Sequence, residues 1–368
     1  MSSQVILVES DPTLAENMNS VLKSSKEFTV AATYKNANSA LAQSKMFQPD
    51  LFLINADDEQ NIEMIAAFTD LYPKAMIIGL MERWRPGVTR ICTKGGAYGC
   101  ILKSFTLADL KKGIELFTKR GQPLNAREIA FFSPKGRAGR TTVAALLALS
   151  IAEKSGERVA IIDGDLQFGD MPIFFDVEPK HTIVEAAQDI KLLNPLTLES
   201  YFHKLTDKVS LLASPERPEY AELVDTSNFV EVIRMSCTLY RFVLVDLPTG
   251  FNPISMSACA LAETSVIMSM LNNVFDITHM RRSLEMFHTQ DYHDKNLYTC
   301  FTRVNPCTEE ERLKIQRQLG YPLTDILPNE YQMISLANSG RLLKGLPKDS
   351  LFMQNIGRIA DEIISDRK

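Results

Sequence analysis

The chain has 368 residues, which is enough for two or three domains that each bury a core. Hydrophobic residues make up 45% of the chain and charged residues 23%, as in a water-soluble globular protein, and the net charge of −5 argues against a dedicated nucleic-acid-binding protein. The 6 cysteines show no C-x-x-C spacing, which argues against a zinc or iron–sulfur centre.

Short apolar segments alternate with segments of helical periodicity over the first 120 residues. Strands are predicted near residues 4–8, 29–32, 50–54 and 75–80, and helices at 13–23, 37–46 and 62–71. This alternation predicts a parallel sheet with helices on both faces. Five such repeats in about 120 residues resemble the receiver domain of bacterial response regulators, which has a flavodoxin-like strand order.

The receiver resemblance implies a phosphorylation site, and four positions of this chain bear on it. The aspartate that accepts the phosphoryl group is matched by Asn55, and the acidic pair that holds magnesium is matched by Glu9 and Ser10. The lysine after the fifth strand is present as Lys103. Because an amide is a poor phosphoryl acceptor and one carboxylate is lost, we expect a receiver-like domain without phosphorylation chemistry, kept for docking or dimerisation.

Three further features of this part concern its loops. Asp57 and Asp58 lie just beyond the third strand, and we interpret them as loop residues rather than as replacement phosphoacceptors. The run 82–86, ERWRP, is either a contact surface or a solvated loop, and both interpretations stay open. Residues 121–127, with Gly121 and Pro123, are predicted to form a linker.

The stretch Glu128–Asp170 has the order strand, loop, helix, strand. A strand at Ile129–Phe132 is followed by a Gly-containing loop, a helix at Thr142–Lys154 and a strand at Val159–Ile162. A phosphate at a helix N-terminus meets unpaired backbone N–H groups and the positive end of the helix dipole. The order of elements therefore predicts a phosphate-binding βαβ unit.

The loop itself departs from the common pattern G-x-x-x-x-G-K-[ST], since Pro134 stands at the first glycine and Arg140 at the lysine. Residues 135–142, KGRAGRTT, instead resemble the deviant phosphate loop K-G-G-x-G-K-T-T of the ParA/MinD ATPases. The resemblance makes Lys135 the signature lysine, which in that family reaches the nucleotide of the partner subunit. The D-x-D motif of the family is matched by Asp163 and Asp165.

The resemblance also implies the ligands and the site residues. ATP would be bound by Lys135, Gly136, Arg137, Ala138, Gly139, Arg140, Thr141 and Thr142. Mg²⁺ would be held by Thr141, Asp163 and Asp246, the last at the end of a buried strand, while Asp165 orients the attacking water. Arginine is a bulkier, planar cation than lysine, so we expect ATP to be hydrolysed to ADP and phosphate slowly.

Two later segments are implied to contact the base of the nucleotide. Thr302 stands where the family has an asparagine that contacts adenine, and Arg303 follows it. Pro328 and Asn329 match the late loop that packs on the base. The C-terminal segment Leu351–Ile364 is amphipathic but has no basic face for an anionic bilayer, so we expect it to pack on its own domain.

The whole chain is thus predicted to be α/β, with two doubly wound domains. A flavodoxin-like receiver domain at 1–120 and a linker at 121–127 precede a P-loop ParA/MinD-type ATPase domain at 128–368. This combination resembles the TadZ/CpaE proteins of tight-adherence (Flp, type IVc) pilus systems. The resemblance implies an ATP-binding homodimer that recruits pilus secretion machinery at the cell pole.

No secretory signal or apolar run of about 20 residues is visible, so we expect a cytoplasmic protein at the pole or the inner-membrane face. No DNA partner and no membrane insertion are expected, and peripheral membrane contact stays open. Two other functions are open as well. One is a nucleotide-free pseudo-ATPase scaffold, and the other is a partition or cell-division ATPase of the ParA/MinD type.

Overall fold

Apolar strands and amphipathic helices alternate along the chain and fold into two α/β units. The computed structural model describes residues 2–120, 126–193, 195–289, 296–304, 307–344 and 348–365. The first unit comprises residues 1–125 and 191–197, and the second comprises 126–190 and 198–368. The predicted linker falls mainly outside the described residues, and its last residue, Arg127, already belongs to a strand.

Residues 2–120 of the first unit form five strands and six α-helices. The strands are β1 (Ser3–Val8), β2 (Phe28–Tyr34), β3 (Leu51–Asn55), β4 (Met76–Met81) and β5 (Gly99–Leu102). The helices are α1 (Pro12–Lys23), α2 (Ala37–Gln43), α3 (Glu59–Glu63), α4 (Ile65–Leu71), α5 (Pro86–Lys94) and α6 (Leu107–Arg120). All strand pairs are parallel, and the order β2-β1-β3-β4-β5 is flavodoxin-like, as predicted.

Alternating side chains of the central strands supply the cores on the two faces of this sheet. In β3, Phe52 and Ile54 join one buried cluster, while Leu51 and Leu53 join the other. Because successive side chains of a strand point to opposite faces, both faces need a helical cover. Asp58, interpreted above as a loop residue, caps α3 by accepting from the Gln60 amide at 3.0 Å.

From residue 126 onward the chain forms eight strands and ten helices among the described residues. The strands are β6 (Arg127–Phe132), β7 (Val159–Asp163), β8 (His203–Lys204), β9 (Val209–Leu212), β10 (Phe242–Asp246), β11 (Thr264–Met270), β12 (Asn296–Val304) and β13 (Asp325–Pro328). The helices are α7 (Arg140–Ser155), α8 (Met171–Phe175), α9 (Ile183–Asp189), α10 (Pro195–Leu198), α11 (Thr226–Ser236), α12 (Pro253–Leu261), α13 (Val274–Thr289), α14 (Glu309–Leu319), α15 (Tyr331–Asn338) and α16 (Leu351–Ser365).

The second sheet has the order β13-β12-β11-β6-β10-β7-β9-β8 and is parallel except for the pair β8 and β9. Its central strands are in register at their carboxyl ends, since Asp246 lies opposite both Asp163 and Phe131. The loop between β6 and α7 leaves the sheet at the same edge. In open parallel sheets this edge is where ligands bind. The predicted fold class, α/β with two doubly wound sheets, is confirmed.

The C-terminal helix α16 packs its apolar face on the core around α7. Its residues Phe352, Ile356, Ile359 and Ile363 are buried in the same cluster as the apolar side of α7. This is the arrangement expected from the sequence. No helix in the described part of the chain is long and apolar enough to cross a bilayer.

Replacing Ile359 by alanine should lower the free energy of unfolding of the second unit. The residue is 1% exposed, and truncation of a buried isoleucine costs about 2–5 kcal/mol. Urea unfolding followed by far-UV circular dichroism measures the change. Leu351→Ala is the matched control, because Leu351 lies in the same helix and is 53% exposed. Equal losses in both variants would contradict the packing of α16 described here.

Candidate functional site

The loop that follows β6 exposes the N-terminus of α7. Gly139, the N-cap, has φ 73°, and no side chain caps the helix. Arg137 also has a left-handed backbone, with φ 66°, at a position where the family loop has glycine. The helix begins at Arg140, two residues earlier than predicted, so Thr141 and Thr142 lie in its first turn. Their backbone N–H groups belong to the unpaired set that binds anions.

Three hydrogen bonds fix this loop to its surroundings. The Thr302 hydroxyl donates to the Ala138 carbonyl at 2.7 Å, and the Ser133 hydroxyl donates to the Lys135 carbonyl at 2.5 Å. The Gly250 amide donates to the Ser133 carbonyl at 2.9 Å. Thr302, implied by the resemblance to face a base, thus places its hydroxyl against the loop backbone. These three hydrogen bonds fix the backbone conformation of the loop.

Arg140 turns toward the acidic residues at the ends of the neighbouring strands. Its Nε donates to Oδ1 of Asp246 at 2.5 Å, and its Nη2 lies 3.4 Å from Oδ2 of Asp165. The side chains of Arg140 and Asp246 are 9% and 1% exposed, so this is a buried ion pair. The other oxygen of Asp246, Oδ2, is buried and has no hydrogen-bond partner among the described residues. The cation expected to bind phosphate is therefore paired with the acid expected to organise a metal.

Asp163 is fully buried and is engaged by the protein through both carboxylate oxygens. Oδ2 accepts from the Ser214 hydroxyl at 3.1 Å and the Met171 amide at 3.3 Å, and Oδ1 accepts from the Asp165 amide at 3.3 Å. Burial and the charge of Asp246 raise the pKa of Asp163 well above its ordinary value. Burial also raises the pKa of Asp246, and the charge of Arg140 opposes that rise.

The resemblance implies that Thr141, Asp163 and Asp246 hold magnesium, and the two acids lie side by side at this edge of the sheet. Asp163 accepts hydrogen bonds through both oxygens and Asp246 through one, whereas Oδ2 of Asp246 is buried without a partner among the described residues. A buried, unpartnered carboxylate oxygen beside the phosphate loop fits a magnesium ion that keeps some of its waters and is held mainly by nucleotide phosphates. In the described ranges, no three acidic, histidine or cysteine side chains are grouped so that they could hold a metal ion.

Lys135, the predicted signature lysine, is weakly held. Its Nζ lies 3.9 Å from Oδ1 of Asp276, and its side chain is 49% exposed. Asp276 is itself fixed, because its Oδ2 accepts from the amides of Asn272 at 2.9 Å and Asn273 at 3.2 Å. An exposed pair at this separation contributes little to stability. The lysine can therefore leave Asp276 for another anion at small cost.

A cavity of about 190 Å³ adjoins the start of α7. Six of the predicted binding residues lie on its wall: Gly139, Thr142, Thr302, Arg303, Pro328 and Asn329. Pockets for whole drug-sized ligands measure about 300–1,000 Å³, so this cavity suits one ring system rather than an entire nucleotide. The cavity adjoins the phosphate loop, since Gly139 and Thr142 lie in its wall.

Sequence reasoning missed two residues of this site. The Ser214 hydroxyl donates to Asp163. Ser214 follows β9 at the same edge of the sheet, and this position in the sequence could have indicated the contact. Asp276, in the first turn of α13, pairs with Lys135, and no local sequence pattern predicts that contact.

The first unit contains a second cluster of charges, at the position implied for phosphorylation. Lys103 Nζ lies 2.8 Å from Glu9 and 3.0 Å from Asp57, and its side chain is 4% exposed. Asn55 donates to the other oxygen of Glu9 at 3.1 Å, and Arg85 pairs with Asp57 at 2.6 Å. Burial acts to lower the pKa of Lys103, but hydrogen bonds to Glu9 and Asp57 raise it above its ordinary value. The acids are thus neutralised by side chains of the protein.

The structure adds detail to two sequence interpretations at this cluster. Asp57 lies in the turn after β3, as interpreted, and it also binds Lys103 and accepts from the Glu82 amide at 2.9 Å. Within the run 82–86, Trp84 is partly buried against the hydrophobic core of its unit, and Arg85 is held by Asp57. Part of this run therefore stabilises the domain.

Lys103→Ala should lower the free energy of unfolding of the first unit by about 3 kcal/mol, because it leaves the buried Glu9 carboxylate without its cation. The chain has a single tryptophan, Trp84, which lies in this unit. Its fluorescence during urea unfolding therefore measures the change in the free energy of unfolding. The control is Lys111→Ala. Lys111 and Glu27 pair at 2.6 Å on the surface, and we expect a loss below about 1 kcal/mol. If both variants lose the same amount, the cluster is not a buried ion pair.

Comparison with known proteins agrees with this geometry. Residues 129–343, more than half of the chain, match the CobQ/CobB/MinD/ParA nucleotide binding domain. A putative septum site-determining protein MinD of Mesostigma viride is 25% identical over 256 residues, which are 67% of this chain and 88% of that protein.

Solved structures share the fold of about two thirds of this chain. A ParA family ATPase from Chlorobium tepidum has a TM-score of 0.58 at 16% identity and covers 65% of this chain and 98% of its own. The septum site-determining protein MinD complexed with Mg-ADP from Pyrococcus horikoshii has a TM-score of 0.55 at 22% identity, covering 65% and 96%. The chain therefore belongs to the CobQ/CobB/MinD/ParA nucleotide-binding domain family.

Proposed function

We propose that the chain is an ATP-binding localisation and assembly factor of a tight-adherence (Flp, type IVc) pilus system, working as an ATP-linked homodimer. The observation that carries this proposal is the pairing of two units in one chain. A flavodoxin-like unit, in which Glu9 and Asp57 pair with Lys103, precedes a unit of the MinD/ParA family. This is the organisation of the TadZ/CpaE proteins that the sequence resembles.

Nucleotide binding is supported by the loop and the cavity beside it. The phosphates would lie on residues 135–142, where Gly136, Ala138 and the first turn of α7 present backbone N–H groups. The base would occupy the cavity lined by Thr302, Arg303 and Pro328. The related MinD of Pyrococcus horikoshii was solved with Mg-ADP, which supports an adenine nucleotide here.

Slow hydrolysis follows from the contacts of Asp165. One of its oxygens lies 3.4 Å from Arg140, and the other accepts from the Phe168 amide at 3.3 Å. A carboxylate that orients a water molecule uses a lone pair of one oxygen, and in Asp165 the Arg140 guanidinium competes for one of the two oxygens. The chain is therefore proposed to hold ATP for long periods.

The proposed partners are a second copy of the chain and the pilus secretion machinery at the cell pole, on the cytoplasmic side of the inner membrane. Deleting the gene should remove surface pili, and a fluorescent fusion that restores them should form polar foci. Filaments counted by electron microscopy and foci counted by fluorescence measure both outcomes. Normal piliation together with misplaced septa or plasmid loss would reject the pilus role and favour the cell-division or partition alternative.

The second candidate function, a nucleotide-free scaffold, is favoured by the buried pair of Arg140 and Asp246. In that function the guanidinium stays with the acid and the loop binds nothing. Calorimetric titration of the full chain with millimolar ATP separates the two. Measurable binding supports the ATP-linked homodimer, and its absence supports the scaffold.

Lys135→Ala should prevent ATP-dependent dimerisation while leaving ATP affinity of the monomer within about threefold of the wild type. The reason is that Lys135 is exposed and is proposed to reach the nucleotide of the partner subunit. Analytical ultracentrifugation with and without ATP measures the dimer, and calorimetry measures the affinity.

The control for this variant is Lys154→Ala, at the far end of α7, where Lys154 pairs with Asp361 at 2.6 Å. This variant should dimerise like the wild type. A Lys135→Ala protein that still dimerises with ATP would show that the lysine does not bridge the two subunits.

A further inference from the structure

The backbone of the phosphate loop is left-handed at Arg137, in a conformation that disfavours residues with a side chain. Arg137 has φ 66°, and the loop pattern K-G-G-x-G-K that this chain resembles has glycine at the same position. Glycine adopts this conformation without steric cost, because it has no Cβ. An arginine here therefore costs free energy that the family pattern avoids. Strained residues of this kind cluster at functional sites, which makes the side chain of Arg137 a candidate for such a role.

The guanidinium of Arg137 is free to meet a ligand. The residue is exposed, and across the described ranges its side chain makes no hydrogen bond or ion pair. The other two cations of the loop have partners, since Lys135 lies 3.9 Å from Asp276 and Arg140 is paired with Asp246. A guanidinium presents its N–H donors in a planar fork that matches the oxygens of a phosphate group. A bound phosphate would therefore offset the backbone cost that no described contact offsets.

The two ends of the loop face different neighbours. Gly139 and Thr142, toward α7, lie on the wall of the cavity proposed to hold the base. Gly136, toward β6, faces the loop after β10, because a Cβ added to it would lie 3.9 Å from Oγ1 of Thr249. Arg137 adjoins Gly136 and does not line the cavity. A nucleotide whose base fills the cavity would thus extend its phosphates from Gly139 toward Gly136, with Arg137 beside the last of them.

We propose that Arg137 recognises the terminal phosphate of the nucleotide bound to its own subunit, so that the site selects a nucleoside triphosphate over a diphosphate. This inference rests on the proposed nucleotide-binding function and adds to it a selectivity residue that the family pattern lacks. The role is separate from that of Lys135, which is proposed to reach the nucleotide of the partner subunit. It leaves magnesium in place, since a guanidinium and a magnesium ion can bind different oxygens of one phosphate.

Calorimetric titration of the full chain with Mg-ATP and with Mg-ADP measures this selectivity. For the wild type we expect ADP to bind at least about tenfold more weakly than ATP. For Arg137→Gly, which restores the family residue, we expect the two dissociation constants to agree within about threefold. Because glycine suits φ 66°, the variant without nucleotide should melt close to the wild type, so that a change in selectivity does not reflect unfolding.

The matched control is Arg137→Lys, which keeps the positive charge and should prefer ATP more strongly than Arg137→Gly does. The Lys135→Ala background, in which the proposed function expects a monomer, tests whether Arg137 acts on the nucleotide of its own subunit. Adding Arg137→Gly to that background should abolish the preference for ATP as it does in the wild type.

Three results would overturn the inference and leave nucleotide binding intact. They are a wild type without a preference for ATP, a preference that survives in Arg137→Gly, and an effect of Arg137→Gly that disappears in the Lys135→Ala background. Equal selectivity in Arg137→Lys and Arg137→Gly would also count against it, because the charge of residue 137 would then have no effect. A wild type that binds neither nucleotide would overturn the proposed function, and this inference with it.

Discussion

Two carboxylates that are buried side by side at the carboxyl edge of a parallel sheet constrain the whole second unit. Asp163 and Asp246 are in strand register, and both are essentially inaccessible to water. Burying a carboxylate is unfavourable unless a hydrogen-bonded partner compensates for lost hydration. The chain satisfies Asp163 with hydrogen bonds and one oxygen of Asp246 with a cation, and that cation comes from the phosphate loop. The start of α7 and the conformation of the preceding loop therefore depend on the acidic residues at the ends of β7 and β10.

The first unit solves a similar problem in the same way. Its acids Glu9 and Asp57 lie at the carboxyl edge of a flavodoxin-like sheet and are bound by Lys103 from the end of β5. Both units therefore neutralise acids at the carboxyl edge of a parallel sheet with a basic side chain of the protein.

The sequence was sufficient for the central strands, because buried parallel strands such as β3 and β10 are continuous apolar runs bounded by turn residues, but not for the edge strands β8 and β13. It was also sufficient for the position of Arg140, because loop spacing is local. It could not show the partner of that residue, since Asp246 is 106 residues away and only the sheet register brings the two together. The same limit applies to Thr302, 164 residues from the Ala138 carbonyl that it binds, and to Asp57 beneath Lys103. Local patterns identified the positions of these groups, and long-range pairing decided what each one does.

Lys135, Arg137 and Arg140, the three cations of the phosphate loop, are not held equally firmly by the protein. This difference determines which of them a bound nucleotide can move. Arg140 is held by two carboxylates inside the protein, whereas Lys135 is half exposed and only loosely paired with Asp276. A ligand can move the second residue at little cost, but moving the first would leave a buried acid unpaired. A polyphosphate bound by the loop would therefore displace Lys135 more easily than Arg140. Under the proposed function Lys135 reaches the second subunit, so dimerisation is the step that would sense the nucleotide.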